Sequence, residues 1–116
     1  MVVKGAAEMK HIQLIKDIEL NAEFETDKQV NQLFDGTFRR IVEVRLQNNA
    51  VLSRHKADVP ITVLCLSGSG VFTAGTDLED SQDLRAGTLI TLEAGIEHEV
   101  TADPSLHILV TKFTGS

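Results

Sequence analysis

Tryptophan and tyrosine are absent, and only five phenylalanines supply large aromatic rings. Stacking on bases or sugars would have to rest on those five alone. There is one cysteine, Cys65, which excludes an internal disulfide framework. It sits in the apolar run Val63-Leu64-Cys65-Leu66 and reads as a small buried residue rather than a reactive thiol. Basic side chains are outnumbered, 11 Lys and Arg against 17 Asp and Glu, for a net charge of −6. That surface is a poor partner for nucleic acid or an anionic membrane. No apolar run approaches the roughly 20 residues of a membrane-spanning helix. Residues 1–10 lack the apolar stretch of a signal peptide and carry Glu8, so a cytoplasmic location is expected.

What is present is enough for one globular core: 116 residues, 42% of them hydrophobic. From about residue 37 the chain reads as short strands separated by turn residues. Residues 37–46 are rich in β-branched and apolar side chains. Asn48-Asn49 marks a turn, because Asn tolerates the left-handed conformation. Residues 50–55 form the next strand, and Pro60 opens a continuous apolar one over 61–66. Gly68-Ser69-Gly70 is expected to turn the chain so that 71–74 returns as a hairpin. Residues 75–83 read as a polar turn carrying Asp77, Glu79, Asp80 and Asp83. Their spacing matches no calcium loop, so they read as a solvated surface. Strands follow over 88–92, 98–102 and 106–113, with Ala94-Gly95 and Asp103-Pro104-Ser105 as turns. Regular short strands of this kind mean a sandwich or barrel. Ile12, Leu14, Ile18, Leu20 and Phe24 fit strand or irregular helix equally, and Phe34-Asp35-Gly36 reads as a turn. Residues 1–36 are therefore taken as an extension packing on the barrel or on a partner, and 37–116 as the barrel.

Two glycine-punctuated segments carry chemistry. In the first, His55, Ala57, Ile61 and Gly68 follow Asn49; in the second, Gly95 and His98 follow Gly87. Together these segments resemble the paired motifs of the cupin family. The first motif is Gly, five residues, His-x-His, three or four residues, Glu, six residues, Gly. Here Asn49 stands at the first Gly, His55 at the first His, Ala57 at the second His, Ile61 at the Glu and Gly68 at the closing Gly. The second motif is Gly, five residues, Pro-x-Gly, two residues, His, three residues, Asn. Gly87, Gly95 and His98 match it, with Glu93 at the Pro and Ala102 at the Asn. The resemblance covers residues 38–113. It implies an all-β, antiparallel double-stranded β-helix, a jelly-roll-like barrel with His55 and His98 pointing inward. It also implies a homodimer paired through edge strands, with residues 1–36 available to add a strand to the partner.

In the family pattern, three imidazoles and a carboxylate hold a divalent iron, manganese, nickel, copper or zinc ion and leave positions open for substrate. This chain keeps two imidazoles; Ala57 and Ile61 have no lone pair to give. Asp58 has the wrong strand parity to replace them. Glu93 or Glu97 would have to swing in from the mouth, and Glu97 and Glu99, flanking His98, should point away. Three readings of His55 and His98 stay open: a metal pair completed by water or another ligand, metal-free polar groups lining a small-molecule pocket with Ala57 and Ile61, and plain structural histidines. The second is preferred, giving a small-molecule-binding barrel with no tightly held metal. A metal-dependent dioxygenase or isomerase using His55 and His98 is the alternative, and a sensory or assembly module a weaker third. His11 reads as a surface residue and His107 as structural, its face not fixed by parity. One of Arg39, Arg40 and Arg45 could bind an anion from the interior, although an outward Arg is the simpler reading of each. Phe72 and Phe113 read as core.

Overall fold

A computed structural model describes residues 10–20 and 24–115. The described residues form seven strands: β1 (Lys28–Asp35), β2 (Arg40–Leu46), β3 (Val51–His55), β4 (Ile61–Ala74), β5 (Asp80–Arg85), β6 (Leu89–Leu92) and β7 (His98–Lys112). All pairings are antiparallel, in the order β1-β2-β7-β4-β5, with β3 added on β7 and β6 on β4. Among the described residues no helix is long and apolar enough to cross a membrane. The all-β antiparallel barrel expected from the sequence is the architecture observed.

β4 and β7 organise the molecule. They pair along their whole lengths, from Ile61 opposite Lys112 to Ala74 opposite His98, with irregularities at Cys65/Ser67 and Gly68/Gly70. The N-terminal half of β4 carries β6, and its C-terminal half carries β5. The C-terminal half of β7 carries β2, and its N-terminal half carries β3. Each long strand thus belongs to two leaves of sheet and bends between them. The burial parity of β4 records the bend: Ile61, Val63 and Cys65 are buried, then Gly70, Phe72 and Ala74. The switch from odd to even positions needs an extra residue, which is what a β-bulge supplies.

Two expected turns are therefore bends inside strands. Gly68-Ser69-Gly70 does not reverse the chain, and residues 61–66 and 71–74 are one strand. Gly68 takes a positive φ of 82°. A Cβ on Gly70 would lie 2.4 Å from the Thr101 carbonyl oxygen, so the glycines permit close approach of β7. Asp103-Pro104-Ser105 is likewise an exposed stretch inside β7. The polar turn expected over 75–83 is shorter, because Asp80–Arg85 is a strand paired with Ser69–Ala74. Only Leu84 of β5 is buried, so this edge strand shows no apolar alternation.

The Asn48-Asn49 turn is present. Both residues have positive φ, 57° and 59°, and Ala50 N–H donates to the Gln47 carbonyl at 3.1 Å. It passes the chain from β2 in one leaf to β3 in the other. Residues 28–35 of the N-terminal extension join the sheet as β1, pairing with β2, and the chain reverses between Asp35 and Arg40.

The core lies between the leaves: Val42, Val44, Leu46, Ile61, Val63, Cys65, Phe72, Leu84, Val100, Leu106 and Ile108 are all buried. Each such aliphatic or aromatic side chain contributes about 1.5–3 kcal/mol by leaving water. Phe72 is core as expected, whereas Phe113, just past β7, is 44% exposed. β2 is buried on both faces from Val42 onward, because residues 10–20 and 24–27 strap across its outer side. Ser67 Oγ donates to the Leu20 carbonyl, Gln47 Nε2 to the carbonyls of Phe24 and Thr26, and Arg45 to that of Glu19.

Candidate functional site

The bends in β4 and β7 bring the opposite ends of each strand together across the interior. His98 begins β7 and Lys112 ends it, yet both line one cavity. The other lining residues are Leu52, His55, Ala57, Ile61, Val63, Phe72, Val100, Ile108 and Val110. All four site residues named from the sequence, His55, Ala57, Ile61 and His98, are brought to this wall.

His55 is the ladder partner of His98. Directly opposed residues of an antiparallel pair project to the same face, and the two rings meet edge to face with centroids 4.3 Å apart. Phe72, two residues along β4 from the Ala74–His98 pair, stacks on the His98 ring with centroids 5.6 Å apart. His98 is buried at the inner end of the site and His55 is exposed at the mouth.

Hydrogen bonding fixes the tautomers. His55 Nδ1 lies 2.7 Å from the Ser53 carbonyl oxygen, and His98 Nδ1 lies 2.9 Å from that of Ile96. A carbonyl oxygen only accepts, so each Nδ1 carries the proton, and each neutral ring keeps Nε2 as an acceptor. Burial, opposed by the Ile96 bond and reinforced by the charges of His55 and Lys112, holds His98 below its ordinary value. The neutral form is thereby favoured at the inner end of the site.

The cavity is small, about 40 Å³. That is room for a few water-sized groups, well short of the roughly 300–1,000 Å³ of an ordinary ligand pocket. A larger open cleft of about 610 Å³ lies between β5 and β6, with Phe72, Ala74, Ile90 and Leu92 on its floor. Phe72 is shared by the two spaces.

The divalent metal implied by the family pattern is not supported by the donors present. Ala57 and Ile61 line the cavity and offer no lone pair. Among the described residues no group of three His, Cys, Asp or Glu is placed to hold an ion. Two imidazoles fall below the three protein ligands of catalytic zinc sites. Glu97 is engaged by Arg54, which also donates to the Thr76 carbonyl. Nor, among the described residues, do the Asp77–Asp83 carboxylates form a group of three that could hold an ion.

The remaining candidates lie elsewhere. His107 faces away from the cavity, buried, with Nε2 2.9 Å from Glu43 Oε2. Arg45 is not solvated: it is buried on that same outer face, 3.3 Å from Glu43. Asn31 Nδ2 donates to the second Glu43 oxygen at 3.0 Å. Burial raises the Glu43 carboxyl, but the bonds from Asn31, His107 and Arg45 outweigh it and leave it lowered. Arg40 pairs with Asp35 at 3.3 Å, and Arg39 lies over the Phe34 ring. None of the three arginines lines the cavity. Cys65 is buried and its thiol is pushed up by burial, which disfavours the thiolate. His11 is exposed. Sequence reasoning missed Lys112. Its signal was the row Leu106, Ile108, Val110, Lys112, in which the alternate inward positions of a strand end in a cation.

No protein-family model and no curated protein matches the sequence. Solved structures match it closely in shape. An RmlC-like cupin protein from Desulfovibrio desulfuricans superposes with a TM-score of 0.76 at 18% identity, over 89% of this chain and 99% of its own. A conserved protein of unknown function from Streptococcus pyogenes gives 0.73 at 20% identity, over 94% and 98%. A cupin superfamily protein from Desulfitobacterium hafniense gives 0.72 at 16% identity, over 81% and 84%. At these identities the likeness is one of architecture, and with the strand crossings and the facing histidines already described, the fold of this chain is that of the cupins.

Proposed function

We propose that the chain binds a small molecule at the mouth of its barrel, head first, without a tightly held metal. One observation carries this reading: His55 and His98 stand ring to ring with both Nδ1 protons committed to backbone carbonyls. Each Nε2 is left as an acceptor with no hydrogen-bond partner among the described residues. The complementary ligand presents hydroxyl or N–H donors. The inner cavity takes only its head, and the rest lies at the mouth near the exposed His55. The walls of Leu52, Val63, Val100 and Ile108 exclude water from the bond to His98 and so strengthen it.

The test has two arms. Purified protein is analysed for metal before and after chelation, and its imidazole nitrogens are followed by NMR while small alcohols and amides are added. Shifts confined to the Nε2 signals of His55 and His98, lost in His98→Ala, are expected. Stoichiometric, chelator-resistant metal in the isolated protein defeats this reading.

A further inference from the structure

The cavity carries a charge of the opposite sign to the one a metal site needs. The ladder partner of Lys112 on β4 is Ile61, the position where the cupin pattern places its carboxylate. Opposed residues share a face, and Leu106, Ile108 and Val110 precede Lys112 on the inward row. Both Ile61 and Lys112 line the cavity with the two histidines. None of the ion pairs among the described residues includes Lys112. Lys112 and His98 line the same cavity, and the Lys112 charge works against protonation of that ring. The site has therefore lost a negative group and gained a positive one, which repels a divalent cation and attracts an anion.

The two imidazoles make a second demand. Their Nε2 lone pairs face an incoming ligand as acceptors, so a bare anion meets attraction from Lys112 and repulsion from the rings. A ligand with a donor beside its negative charge satisfies both. We propose that the site selects a small hydroxycarboxylate, its carboxylate paired with the Lys112 ammonium and its hydroxyl donating to an imidazole Nε2. This deepens the binding reading above and rests on it. A cavity of about 40 Å³ admits a head of that size and leaves the remainder of the molecule at the mouth.

The experiment compares 2-hydroxybutyrate, 2-hydroxybutyramide and butyrate by NMR titration at pH 7.5 (about one unit above the ordinary imidazole value), against the native protein, Lys112→Met and Lys112→Arg. A charge-assisted bond to the ammonium should make the native protein prefer 2-hydroxybutyrate over its amide by about tenfold or more. Lys112→Met should erase that preference by weakening the acid by about tenfold more than the amide. Lys112→Arg should keep the preference. Equal native binding of acid and amide overturns the role given to Lys112 while leaving the imidazole reading in place. Butyrate binding as tightly as 2-hydroxybutyrate overturns the hydroxyl contact. Absence of any imidazole shift with all three compounds overturns both readings together.

Discussion

At the scale of residues, His98 is held by three contacts: the His55 ring, the Phe72 ring and the Ile96 carbonyl. The sequence made His55, Ala57, Ile61 and His98 legible because motif spacing ties each to a strand position, whatever the bends elsewhere. Lys112 was not legible in the same way. Its place depends on knowing that β7 folds back on itself, so that its last residue meets its first. The lost metal donors are also a residue-scale matter and can be reversed. Ala57→His with Ile61→Glu puts an imidazole and a carboxylate on the wall where both side chains already lie. The double variant should retain about one equivalent of zinc through desalting, measured by elemental analysis, and adding Lys112→Met should tighten it by removing a like charge. Zinc retention no greater than in the native protein would show that these positions do not converge on the histidines.

At the scale of elements, the sequence misled where a strand bends without ending. Gly68-Ser69-Gly70 and Asp103-Pro104-Ser105 have the composition of turns, and composition alone does not separate a reversal from a bulge. The ladder does: β4 and β7 stay paired on both sides of each stretch. β5 was hidden for a different reason. It is an edge strand with a single buried side chain, Leu84, so it lacks the alternation that identifies a half-buried strand. The bends predict a contrast between glycines. A Cβ on Gly70 would meet backbone, the Thr101 carbonyl oxygen at 2.4 Å, whereas a Cβ on Gly87 meets nothing within 4 Å. Gly70→Ala should cost about 2–4 kcal/mol in urea unfolding, because neither strand can give way without losing the crossing. Gly87→Ala should cost only the left-handed backbone penalty of about 1–2 kcal/mol, since its φ is 93°. Equal losses at the two sites would mean that β4 and β7 do not press together at the bulge.

At the scale of the whole molecule, two buried groups, His98 on β7 and Glu43 on β2, make stability depend on pH in the same direction. His98, on the cavity side, is held by burial below its ordinary 6.5. Glu43, under the N-terminal strap, is held below its ordinary 4.5: burial raises it, and the bonds from Asn31, His107 and Arg45 more than offset that. In both cases the unfolded chain binds the proton more readily than the folded one, and stability then rises with pH. The contribution of His98 is complete above about pH 6.5 and is lost as pH falls from there toward its folded value. That of Glu43 is complete above about pH 4.5 and fades below it. Urea unfolding across pH should therefore show a plateau near neutrality and two successive declines on the acid side. His98→Gln should flatten the first decline and leave the second. Glu43→Ala should behave oppositely, flattening the second. It should also lower stability at pH 7 by about 3 kcal/mol, because Arg45 and His107 lose their buried partner. If the first decline survived His98→Gln unchanged, the neutral imidazole assigned to the inner end of the cavity would be wrong. The two Nε2 acceptors on which ligand recognition depends would then be reduced to one.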